Sequence, residues 1–84
     1  MWLITPVGFF SVVQKTGDIA ADTLTVRARV RGDLDALREH YLPSLSPVQE
    51  SKTNDYRFRA VAPRADVAAA MASMVNQLKY SNFK

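Results

Sequence analysis

An 84-residue chain with 48% hydrophobic residues, 23% charged residues and a formal net charge of +3 lies outside the low-hydrophobicity, high-charge signature of disorder, and its length suits one domain. The absence of cysteine excludes disulfides, thiolate metal sites and cysteine nucleophiles. The apolar start MWLITPVGFFSVV has no basic leader and is broken by Pro6 and Gly8, and no run approaches the roughly 18–20 apolar residues that span a bilayer, so a cytoplasmic protein without membrane association is expected.

In chain order, Thr5-Pro6-Val7-Gly8 has proline and glycine where a tight turn favours them. It separates MWLI from FFSVVQ, both rich in aromatic and β-branched residues, which predicts an opening β-hairpin. Lys15 to Asp22, KTGDIAAD, gathers turn-forming residues and reads as a loop. TLTVRARVR then alternates, with Leu24, Val26, Ala28 and Val30 on one side and Thr25, Arg27, Arg29 and Arg31 on the other. That period predicts a strand with one face on a core and one in water.

Gly32 ends the strand, and Asp33 is placed to cap a helix whose stripe is Leu34, Leu37 and Tyr41 and which stops at Pro43. PSLSPVQESKTN has no sustained period and reads as a long loop. YRFRAVA resumes alternation, with Tyr56, Phe58 and Ala60 facing one way and Arg57, Arg59 and Val61 the other. Pro63 suits a helix start, and Val67, Met71, Met74 and Leu78 recur at helical spacing beyond it. The segment around Asn82 is expected to leave that helix.

The expected architecture is a single α+β domain over residues 1–84. It is a two-layer sandwich in the order β-β-β-α-β-α, with a mainly antiparallel sheet of about four strands and two helices on one face.

Arg27, Arg29, Arg31, Arg57 and Arg59 would then leave the sheet on its other face, because residues i and i+2 point the same way. Clustered guanidinium groups suit phosphates or carboxylates, which they grip bidentately. The competing reading is a solvated face, in which arginine stems cover apolar surface and their heads stay wet. VGFFSVV is faintly similar to the aromatic strand on which RNA-recognition motifs stack bases, but lacks the basic residue before the glycine.

Trp2, Ile4, Phe9, Phe10 and Val13 are too many apolar side chains for one face of a small core. Trp2, Phe9 and Phe10 are therefore candidates for self-association, with a homodimer as the outcome. His40 is the only histidine, so no metal site is expected, and the three glycines match no nucleotide-binding loop. Arg31-Gly32-Asp33 is accounted for by a strand end and a helix cap. No catalytic residue, cofactor or small-molecule substrate is expected.

The blocks GFFSVV, LTVRARVRGDL, DYRFRAVAPR and YSNFK resemble a family of small uncharacterised proteins from bacterial genomes and their prophages. The resemblance spans nearly the whole chain and carries no catalytic signature. Members of that family often continue past the NFK block with a tryptophan-bearing tail, and this chain ends at Lys84. A prophage setting implies, by analogy of size and not of motif, an anti-CRISPR-like role in occluding a host defence complex.

The expected function is a non-enzymatic binding module whose arginine face engages an anionic partner, either a nucleic acid or an acidic protein surface. The alternative is a self-associating interaction protein that uses the aromatic hairpin.

Overall fold

A computed structural model of the chain describes residues 1–52 and 56–77. Among them are strands β1 (Trp2–Thr5), β2 (Gly8–Val13), β3 (Thr23–Ala28), β4 (Gln49–Glu50) and β5 (Phe58–Pro63), and helices α1 (Thr16–Ala21), α2 (Arg31–His40) and α3 (Arg64–Asn76). The sheet is antiparallel throughout, in the order β1-β2-β3-β5-β4. The chain is thus a two-layer α+β sandwich. Leu78 and the segment from Tyr80 to Lys84, to which a helix end was assigned, lie outside the described residues, as does Asp55.

The alternation in β3 works as expected. Val26 and Ala28 are buried with Phe10, Val12, Ala60 and Ala62 on the inner face, beneath Leu34 and Leu37 of α2 and Val67, Ala70 and Met74 of α3. Alanines at 28, 60, 62 and 70 let the helices approach the sheet closely. The β1–β2 hairpin closes at Thr5 and Gly8, where the Thr5 hydroxyl accepts from the amides of Val7 and Gly8 and donates to the Gly8 carbonyl.

Three expectations change. Lys15 to Asp22 holds a helix, because Asp18 at its third position reaches back to accept the Lys15 amide at 2.9 Å and Asp22 adopts the left-handed conformation that ends it (φ 57°). The Asp18 carboxylate also accepts from the Thr23 hydroxyl at 2.6 Å and the Thr25 hydroxyl at 2.8 Å. Thr23 and Thr25 share a face with Arg27, so α1 covers one end of the face opposite α2 and α3.

The expected strand 23–31 ends early. Arg29 and Val30 bend away and α2 begins at Arg31, with Val30 and not Asp33 at its N-cap. Asp33 instead accepts the Phe9 amide at 3.4 Å, tying the hairpin to α2. Gly8 sits against it at φ +154°, where an added Cβ would fall 2.4 Å from the Asp33 Cγ.

The long loop carries order too. Ser46 donates its amide to the Val61 carbonyl and its hydroxyl accepts the Val61 amide, both at 2.8 Å, so a serine side chain extends the ladder ahead of β4. Arg38 fastens the loop from α2 by donating to the carbonyls of Leu45 and Ser46, and Leu45 is buried.

Candidate anion-binding interface

The crossover from β3 through α2 lays β4 one position beyond β5, which fills the gap beside β3. The two arginine strands are therefore neighbours, with Arg27 directly opposite Arg59. The register continues on both sides, running Trp2, Ser11, Arg27, Arg59 and Gln49 across the sheet. Directly opposed residues share a face, so this row lies on the side of the sheet away from α2 and α3, beside the part that α1 covers, with Trp2 and Gln49 exposed, Arg27 and Arg59 half-buried and Ser11 buried. Ile4 and Phe9 are partners in the next row, towards Arg29.

Among the described residues, positive charge on this face is concentrated and lacks ion-pair partners. Arg31, Arg38, Arg57 and Arg64 each have a carboxylate partner: Asp35, Asp35, Glu50 and Asp22 respectively. Among the described residues, Arg27, Arg29 and Arg59 have none. Arg27 donates through Nη2 to the Ser11 hydroxyl at 2.8 Å. Its Nε, with Nε and Nη2 of Arg59, is closed off without a hydrogen-bond acceptor among the described residues, an unfavourable state for a charged donor.

Lys15 adds to the same field. Burial, followed by the charges of Arg59 and Arg27, pushes its pKa below the usual lysine value, against the opposing pull of Asp18. Asp18 is buried and engaged by two hydroxyls and an amide, so it acts as a structural acceptor beneath the cations.

Two rings complete the surface. Phe9 and Tyr56 stack with centroids 6.4 Å apart and an interplanar angle of 27°. The Arg27 guanidinium lies 4.9 Å from the Tyr56 centroid, and that of Arg29 lies 5.5 Å from Tyr56 and 5.6 Å from Phe9, within cation–π range. Trp2, at 69% exposure, stands at the β1 end of the row.

No protein-family model, curated protein or solved structure matches the chain.

Of the five expected arginines, the structure brings Arg27, Arg29 and Arg59 together. Arg31 is drawn out by the early strand end and ion-pairs along α2 with Asp35 at 3.8 Å. Arg57 precedes β5 and is held by Glu50 at 2.9 Å.

The candidates for self-association divide as well. Phe10 is completely buried (0% exposed) and belongs to the core, which removes it from any interface. Phe9 joins the arginine face. Tyr56, expected to face inward with Phe58, lies on the arginine face because the chain bends before β5 starts. The β2 alternation of Phe9, Ser11 and Val13 was a sequence signal for Phe9, whereas the period through Tyr56, Phe58 and Ala60 pointed Tyr56 to the wrong face.

His40 ends α2 and is exposed. Among the described residues no group of three or more His, Cys, Asp and Glu side chains could hold a metal ion, and no helix is long and apolar enough to cross a membrane.

Proposed function

We propose that the chain is a non-enzymatic cytoplasmic binding module that engages an anionic partner through Arg27, Arg29 and Arg59. One observation carries the reading: every other arginine has a carboxylate partner, whereas these three share one face and have none among the described residues. Like charges held directly opposite each other destabilise a sheet, and an anion bound across them offsets that cost. As a prophage-encoded inhibitor of a host defence complex, the module would present these residues to the complex's anionic component.

The test is binding of a fluorescent polyanion with Arg27 and Arg59 both changed to Gln. Binding should fall sharply while the circular dichroism spectrum is retained, and the wild-type affinity should weaken with salt. Binding that ignores both the substitutions and salt overturns the reading.

Self-association through β1 is a second reading, favoured by the lack of any charged residue on this edge strand and by the exposure of Ile4 (88%). Uncharged edges are templates for pairing with another chain. An apolar groove of about 370 Å³ between β1 and α3, lined by Leu3, Ile4, Met71, Met74 and Val75 among others, adjoins it. Sedimentation should then show a dimer that Ile4→Lys dissociates; a monomer at high micromolar concentration rules this out.

A further inference from the structure

Resting on the anion-binding reading, we infer that the partner is a single-stranded nucleic acid whose bases stack on Phe9, Tyr56 and Trp2 while its phosphates meet Arg27, Arg29 and Arg59. The cations alone would serve an acidic protein surface as well as a phosphate chain, whereas the rings beside them also match the π-face that every base carries. This face interleaves cations with rings: Tyr56 lies beneath two guanidinium groups and stacks on Phe9, and Trp2 stands in the same cross-sheet row as Arg27 and Arg59.

Aromatic platforms set among basic side chains are how proteins hold unpaired strands, because every base has a π-face and every linkage a charge. Sheet surfaces of this breadth stack two or three bases in single-stranded RNA recognition. From β1 to β5 the row crosses three strand spacings, about 14 Å, which places the exposed tryptophan and the arginine pair within reach of one short oligonucleotide.

The strandedness follows from shape. Bases of a duplex are stacked on one another and closed to a flat sheet, and the helices that could enter a groove are packed on the opposite face: α2 and α3 cover the inner side. The short α1 is fixed at the end of the outer face by Asp18. A splayed single strand presents both its bases and its phosphates to such a surface.

Trp2 is the only tryptophan, so its fluorescence reports directly on stacking at the site. The full chain is titrated with short oligothymidylate, with a duplex of equal length, with inorganic polyphosphate and with oligoglutamate. Oligothymidylate should bind best and quench Trp2. Phe9→Leu and Tyr56→Leu, followed by Trp2 quenching, and Trp2→Leu, followed with a fluorescently labelled oligothymidylate, should each lower its affinity about tenfold, the scale of one lost stacking surface, with the salt slope unchanged because no phosphate contact is removed.

If polyphosphate, duplex or oligoglutamate binds as tightly as oligothymidylate, or if the ring substitutions change nothing, the single-strand inference falls and the anion-binding reading stands. If none of the four polyanions binds, both fall. Circular dichroism of each variant separates loss of stacking from loss of fold, and quenching by oligothymidylate in the wild-type chain is independent of any substitution.

Discussion

Arg27 on β3 and Arg59 on β5 are direct cross-strand partners, and three of their guanidinium nitrogens are closed off without an acceptor among the described residues. Two cations in that position cost the sheet stability. Arg59→Met keeps the apolar stem and removes the charge, so it should raise stability at low salt by up to about 1 kcal/mol. In a chain of this size that is about 4–8 °C in melting temperature. The gain should shrink as salt screens the pair. Thermal unfolding at two ionic strengths checks it, and a lower melting temperature at both would show that the pair is not repulsive.

Asp18 should make the fold sensitive to acid. The Thr23 hydroxyl first, and then the Lys15 amide and the Thr25 hydroxyl, hold its pKa below the ordinary 3.8 in spite of burial. With the folded pKa depressed, the unfolded chain binds more protons in the interval between the two values, so stability rises with pH there. The contribution is fully present above about pH 4 and disappears as pH falls through the folded pKa. Asp18→Asn should cost about 1.5–3 kcal/mol at neutral pH, the scale of hydrogen bonds to a charged group, and should flatten the acid limb of a stability–pH curve. An acid limb identical to wild type would assign the sensitivity elsewhere.

Gly8 is constrained twice, by its φ of +154° and by the Asp33 side chain where a Cβ would go. Gly8→Ala should therefore destabilise by about 1–3 kcal/mol. Asp33→Gly in the same chain should recover only part of this, because it removes the clash and leaves the backbone strain. Chemical denaturation of both singles and the double measures the coupling, and full recovery would mean that the backbone conformation costs nothing.

The strands that carry the face were legible because alternation is a backbone property: side chains at i and i+2 share a side wherever a strand is straight. Thr25 and Arg27 against Val26 and Ala28 follow from that alone. Arg31 and Tyr56 escaped it because each lies beyond a bend, where the period is lost. Helix α1 escaped because its signal is one carboxylate at the third helical position, preceded by a lysine where a serine or threonine would have marked a cap. The adjacency of β3 and β5 depends on where the α2 crossover places β4, which no local pattern encodes.

The two sides of the hairpin should differ sharply in mutational cost. Phe10→Ala empties a fully buried site and should cost about 3–5 kcal/mol. Trp2→Ala, at an exposed position on the neighbouring strand, should stay within about 0.5 kcal/mol. Parallel denaturation curves test the contrast. A large loss at Trp2 that depends on protein concentration would favour the self-associating reading, since a residue buried between copies stabilises by mass action.

Arg57 offers a graded test of the interface. Its Nε is held by Glu50 at 2.9 Å, so it contributes little net charge while the pair is intact. Exposed pairs of this kind are worth only about 0–1 kcal/mol, and Glu50→Gln should leave the fold nearly unchanged. The substitution frees one more guanidinium at the margin of the face and removes a carboxylate that repels the ligand. Three unpaired arginines on a single strand give a log–log salt slope of about −2, and a fourth should steepen it by about 0.7 while tightening binding at low salt. Titrations of Glu50→Gln at several salt concentrations measure both quantities. A slope equal to wild type would place Arg57 outside the contact and confine the interface to Arg27, Arg29 and Arg59.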